Sequence, residues 1–203
     1  MGGLCCSAAQ LYDNRLEAAK IMTIRYYQGK YPSIAPTAYV DETAVVIGDV
    51  TIGGHASIWP MVVARGDVNS IVIGDYTNIQ DGTVLHVTHA GEFSPDGHAL
   101  KIGSHVTVGH RVILHGCEVR DYCLIGMAST VMDGAILETR VILGAGSLVP
   151  SGKVLEGGHL WVGSPAKKVR PLTERELASL DYSAKHYARL KDKHLSDRIP
   201  PQP

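Results

Sequence analysis

The feature that most restricts the fold is an aliphatic beat of six residues. Ile34, Val40, Val46, Ile52 and Ile58 fall six apart, as do Ile73, Ile79 and Leu85, then Ile102, Val108 and Leu114. After a slip of one residue the beat resumes at Val119 and continues through Ile125, Val131, Leu137, Leu143 and Val149 to Leu155. A helix repeats near 3.6 residues and a half-exposed strand near 2, so neither explains one reliable aliphatic position in six. A short strand followed by a sharp corner does, with the aliphatic side chain pointing inward. Three such units close one triangular turn, and successive turns stack as parallel strands about 4.8 Å apart. Glycine often follows the beat, as in Ile73-Gly74, Ile102-Gly103 and Leu143-Gly144, where its small size eases the bend. The run spans 34–165, about seven turns of an all-β parallel β-helix. Ordinary sandwich strands do not hold one phase through so many units.

Composition agrees with a thin, regular interior, since the chain has one Phe and two Trp against 22 Gly. Lys and Arg number 19 against 20 Asp and Glu, which leaves no basic field for nucleic acid or an acidic membrane surface. No window approaches the roughly 18 apolar residues of a membrane span. Four cysteines in a chain of 203 residues do not read as a secreted disulfide framework, so a reduced, cytoplasmic setting is expected.

The organisation follows from the beat. Residues 1–21 read as an extension, weakly ordered or foreign to a natural start at Met22. Met1-Gly2 with Cys5-Cys6 approaches an acylation signal, but Cys6 stands where myristoylation needs Ser or Thr; a short amphipathic helix over 11–19 is the simpler reading. The β-helix domain occupies 22–165, a connector and helix 166–198, and a tail 199–203. Thr173 and Glu176 form a capping box, after which Leu177, Leu180, Ala184 and Tyr187 recur at helical spacing. This helix is expected to cover one face of the coil.

Two breaks in phase mark where function is sought. Between Ile58 and Ile73 twelve expected residues become fifteen, and between Leu85 and Ile102 six become seventeen, extruding a loop that runs from His86 through His98 and onward. Long loops on a rigid scaffold often carry function. His86 directly follows Leu85 and His115 directly follows Leu114, and these leucines close consecutive turns on one face once the loop is discounted. Two imidazoles one rung apart, about 4.8 Å between backbones, can lean onto one ion at about 2.0–2.1 Å. His110, two residues after Val108, lies on the neighbouring face; threefold association brings it against His86 and His115 of the next subunit. Three neutral nitrogens with an open fourth position make the catalytic rather than the structural zinc arrangement. His55, His105, His159, His186 and His194 read as ordinary surface histidines, and His89 and His98 belong to the loop. Arg65 and Asp67 occupy the first phase break, placed to pair across subunits. Asp81 stacks one rung from His110, either to orient it or simply to make a corner turn.

Taken in order, Arg65-Gly66-Asp67, Asn78-Ile79-Gln80-Asp81, His86, the stretch from Gly109-His110 to His115-Gly116, and Gly163-Ser164-Pro165-Ala166 before a helix resemble the signature of gamma-class carbonic anhydrases. The match is to the bacterial branch that lacks the acidic loop, and it covers about residues 24–190. The resemblance implies a left-handed β-helix and a homotrimer with a metal at each subunit boundary. It further implies His86 and His115 as ligands from one chain and His110 from its neighbour. Gln80 would hold the metal-bound water, Asn78 would assist at the substrate site, and Arg65 and Asp67 would form an intersubunit ion pair. The implied cofactor is Zn2+, although Fe2+ or Co2+ also accept three imidazoles. The implied activity is reversible hydration of CO2 to bicarbonate by a metal-bound hydroxide. Val68 and His89 depart from the archaeal members, which carry glutamates at both positions. Proton export then falls to His89, a residue type whose ordinary pKa of ~6.5 suits a shuttle, or to Glu92. Competing readings are a metal-dependent thioesterase or other hydrolase, an acyltransferase with an interface histidine as general base, and a metal-stabilised trimeric assembly protein with weak or no catalysis.

Overall fold

The computed structural model describes residues 23–197; the readings offered for 1–21, for the start at Met22 and for the tail 199–203 lie outside the described residues. The chain coils into a parallel β-solenoid with three strand-bearing faces. On the first face Ile34, Ile52, Ile73, Ile102, Val119, Leu137 and Leu155 stack in register. On the second, Val40, Ile58, Ile79, Val108, Ile125, Leu143 and Trp161 do so. The third carries Ile24, Val46, Ala64, Leu85, Leu114, Val131 and Val149. Nearly all of these side chains are buried, so the six-residue beat is the inward-facing position of every short strand. Ala64 and Trp161 supply beats that an aliphatic pattern does not mark.

The corner between the first and second faces repeats a left-handed backbone position, with φ of 56° at His55, 57° at Tyr76, 58° at His105, 57° at Tyr122 and 63° at Arg140. Such values are uncommon for residues with a side chain. Here the side chains stack from turn to turn. Ring centroids lie 4.8 Å apart for His55–Tyr76, 5.0 Å for Tyr76–His105 and 4.7 Å for His105–Tyr122, and the Arg140 guanidinium sits 5.8 Å from the Tyr122 ring centroid. Face-to-face contact of this kind offsets the backbone strain.

Both phase breaks have a structural form. At the first, strand Val63–Ile73 runs round the corner between the third and first faces. Its pairing jumps from Gly48↔Gly66 to Val50↔Ile71, so residues between Gly66 and Ile71 bulge outward. At the second, the loop folds into a small hairpin through the bridges Thr88↔His98 and Gly91↔Ser94, with Phe93 fully out in solvent at its tip.

After the last turn the chain reverses. Lys167–Pro171, expected as plain connector, is a strand antiparallel to His159–Val162. Helix α1, Glu174–Asp197, begins at the anticipated capping box. The Thr173 amide donates to Glu176 Oε2 at 2.8 Å and the Glu176 amide to Thr173 Oγ1 at 3.3 Å. Arg170 grips the same carboxylate with both guanidinium ends, and with the Thr173 donors this holds Glu176 down to a pKa of about 2. The helix lies on the second face through Leu180, Ala184, Ala188 and Lys191. Lys191 is buried whole, and its ammonium pairs with the exposed Asp192, a use of lysine that the apolar stripe does not announce.

Two substitutions test this architecture by urea unfolding. Leu137→Ala, at a fully buried beat on the first face, is expected to lower stability by about 2–5 kcal/mol. Thr173→Ala, which removes the cap, should cost about 1 kcal/mol.

Candidate metal centre

Parallel pairing of Val84–His86 with Ile113–His115 sets Leu85 opposite Leu114 and His86 opposite His115. The leucines point into the coil, so the next residues point out together. Their ring centroids are 5.0 Å apart, and His86 Nδ1 lies 2.9 Å from His115 Nε2. The far nitrogens are engaged by carboxylates: His86 Nε2–H donates to Asp67 Oδ1 at 3.1 Å, and His115 Nδ1–H donates to Asp133 Oδ1 at 2.6 Å. A carboxylate can only accept, which assigns both protons to the far side. The two near nitrogens therefore converge lone pair to lone pair, an arrangement that a cation between them relieves. Two ligands at ~2.0–2.1 Å on a tetrahedral ion stand roughly 3.3 Å apart, so a few tenths of an ångström of opening fits the pair to a metal.

The bulge in Val63–Ile73 delivers Asp67 to this place. Its second oxygen accepts from Arg65 Nη1 within the same chain. Burial pushes the Asp67 carboxyl up, but hydrogen bonds from Arg65 and His86 and the Arg65 charge outweigh it and hold the pKa below its usual value. For His86, burial is the largest influence and lowers the imidazole pKa despite Asp67. Its neutral, ligand-competent form is thereby favoured.

His110 sits at the corner between the second and third faces, above Asp81. Of the two roles open to Asp81, the contact with the ring is present: His110 Nδ1–H donates to Asp81 Oδ2 at 2.9 Å, with both side chains about half exposed. That leaves His110 Nε2 free on the outside of the coil. Within one chain, among the described residues, no three His, Cys, Asp or Glu side chains gather as a cation site. His110 is therefore not brought to the His86–His115 pair by its own chain.

Asn78 and Gln80 project from the second face beneath α1. Gln80 Nε2 donates to Asn78 Oδ1 at 3.0 Å, Asn78 Nδ2 donates to Thr107 Oγ1 at 3.1 Å, and Thr107 meets Ser183 of the helix at 2.9 Å. Tyr187, also on α1, hydrogen-bonds Gln80; burial and the nearby Asp81 charge raise its phenol pKa. His89 and Glu92 lie exposed in the hairpin, and Val68 is exposed on the bulge. Sequence reasoning missed Asp133 and the Tyr187–Gln80 contact. Asp133 had a legible signal, since it follows Val131 by two as Asp81 follows Ile79, one rung from the His115 level.

No family model matches the chain. It is 50% identical to Protein YrdA of Escherichia coli over 180 residues, which cover 89% of this chain and 98% of that protein. It is 38% identical over 187 residues to the mitochondrial gamma carbonic anhydrase 1 of Arabidopsis thaliana, covering 92% of this chain and 68% of the plant protein. Among solved structures it resembles a hexapeptide transferase family protein from Anaplasma phagocytophilum, with a TM-score of 0.77 and 43% identity over 84% of this chain and 97% of the other.

The depressed pKa of His86 fixes the sign of a pH effect. An unfolded chain protonates this imidazole near pH ~6.5, whereas the folded chain resists until lower pH, so metal-free protein loses stability as pH falls through that window. Thermal melts from about pH 8 to about pH 5 are expected to show this loss, and His86→Asn is expected to flatten it. Identical slopes would remove the part assigned to burial of this ring. Asp67 acts in a separate, more acid window: its contribution is intact above 3.8 and is lost as pH drops through its lower folded value.

Proposed function

Because the chain belongs to the YrdA and gamma-carbonic-anhydrase-like family of hexapeptide-repeat β-solenoids, we propose that it is a homotrimeric metalloprotein that interconverts CO2 and bicarbonate at sites shared between subunits. The observation that carries this reading is the approach of His86 Nδ1 and His115 Nε2 to 2.9 Å, each ring backed on its far side by a carboxylate. His110 of a neighbouring subunit supplies the third nitrogen, its free Nε2 already facing outward with Asp81 behind it. Threefold association draws support from the third face, where Val84, Ile113, Met61 and Met127 expose apolar side chains near the His110 corner. An apolar strip of this kind favours cover by another protein surface. His86 and His115 with the neighbouring subunit's His110 would hold a zinc ion, which would lower the pKa of water toward ~7 and so supply a nucleophile for CO2 at neutral pH. Iron and cobalt accept the same donors.

The chain's own residues do the remaining work. Arg65 keeps Asp67 ionised and aimed at His86. Gln80, steadied by Asn78 and Tyr187, offers its amide to the attacking water, and Asn78 serves the substrate side. His89 and Glu92, both open to solvent, carry the proton away. Cys117 and Cys123 are free, and burial pushes each thiol up to about 12, which suits a reducing cytoplasm. No helix among the described residues is long and apolar enough to cross a membrane.

Val68 and His89, at positions where the archaeal members carry glutamates, favour a second reading: a metal-stabilised trimer with little turnover. Metal analysis, mass measurement and stopped-flow CO2 hydration separate the two. The expected result is a trimer with one divalent ion per chain, and a His110→Ala variant whose CO2 hydration falls by at least ~100-fold, beyond the usual loss from outer partners. Full occupancy without turnover favours the assembly role, and thioester cleavage without CO2 hydration favours a hydrolase. A metal-free monomer ends both.

A further inference from the structure

The hairpin and the paired histidines meet at one carboxylate. Asp133 Oδ1 accepts from His115 Nδ1 at 2.6 Å, while Oδ2 accepts from Thr88 Oγ1 at 2.9 Å. Thr88 is itself pinned on both sides. Its amide donates to the His98 carbonyl at 3.0 Å, and its carbonyl accepts from the His98 amide at 2.9 Å and from Asn69 Nδ2 at 3.1 Å. The hydroxyl therefore has a fixed place at the base of the hairpin. Space for the carboxylate is reserved by Gly116, which has φ +51°; a Cβ there would run into Asp133 Oδ1 and lie 2.6 Å from His98 Cβ. The arrangement parallels that at His86, where Asp67 gives one oxygen to the ring and the other to Arg65.

We infer that Asp133 and Thr88 are positioning residues that couple the seating of the 88–98 hairpin to the orientation and tautomer of His115, and through them to divalent-cation affinity. The inference rests on the metal-binding reading above. A carboxylate at 133 admits one tautomer, with the proton on Nδ1 and the Nε2 lone pair turned toward His86. Thr88 holds that carboxylate in the plane where it can do so. If the hairpin base lifts, Asp133 loses its second anchor and His115 loses its fixed direction. The hairpin thus reaches the metal ligands without any of its side chains touching the ion.

The test uses the full chain in three variants. Asp133→Asn presents a donor as well as an acceptor, Thr88→Val keeps the shape and deletes the hydroxyl, and Thr88→Ser restores it. Zinc affinity by chelator competition is expected to fall about 10–100-fold in Asp133→Asn, by a smaller factor in Thr88→Val, and to recover in Thr88→Ser, with oligomer mass unchanged. Ring-nitrogen NMR of the metal-free protein should show His115 protonated at Nδ1 in the parent chain and a mixture of tautomers in Asp133→Asn and Thr88→Val. A mere hairpin staple would shift the melting temperature and leave both readouts alone. Zinc affinity within twofold of the parent, or an unchanged tautomer, overturns the coupling. Failure of the parent chain to bind zinc overturns the metal reading instead, and the NMR measurement still decides whether Thr88 and Asp133 orient the ring.

Discussion

Everything in this molecule depends on vertical contact between inward aliphatic side chains in successive turns. Each short strand is too small to be stable alone; it gains its hydrogen bonds from the strands above and below, and its apolar contact from the beat residue on the neighbouring level. Burial of the whole set, from Ile52 to Leu155, makes a narrow core with little tolerance for a change of phase. A one-residue slip turns an inward side chain outward. That rigidity gives outward residues their value: a side chain one step past the beat has its height, face and direction set to within a rung.

The candidate metal centre exploits that precision and then departs from it. His86 and His115 inherit their pairing from Leu85 and Leu114. Their protonation pattern comes from two carboxylates, Asp67 on the bulge and Asp133 in the regular coil, where Thr88 of the hairpin base also meets it. Regular structure fixes where the nitrogens are and supplies the carboxylate at His115, and the bulge supplies the one at His86. His110 and Asp81 repeat the same imidazole–carboxylate unit at another corner.

Much of this was legible in the residues. The six-residue phase foretold the parallel solenoid, the pairing of His86 with His115 and the stacking of Asp81 beneath His110, because register is a matter of counting. The helix was legible in Thr173 and Glu176, whose reciprocal bonds are local. What escaped were contacts that counting does not reach. The sequence suggests a pair between Arg65 and Asp67 across subunits, whereas the structure forms that pair within one chain, and a bulge re-aims Asp67 toward His86 as well. Asp133 obeys the same count as Asp81 but lies beyond the stretch from His86 to His115 that holds the histidines of the site. Thr88 matters only because the hairpin closes on His98, and no periodicity governs an insertion. His55, a plain surface histidine by sequence, stacks on Tyr76, and His105 stacks between Tyr76 and Tyr122 on adjacent turns. That contact depends on the left-handed corner as well as on the spacing.

A coil of parallel strands is in principle open-ended, since its last rung presents the same unsatisfied backbone edge as every rung before it. On the second face that edge is met by the reversed strand Lys167–Pro171, which is exposed along its length and carries Lys167, Lys168 and Arg170 ahead of a proline. Lys168 and Arg170 are held in ion pairs with Glu156 and Glu176; charged side chains along an edge hinder further pairing, and proline withholds a donor. The turnabout therefore acts as a terminator against end-to-end polymerisation, and it directs any self-association to the flanks of the rod.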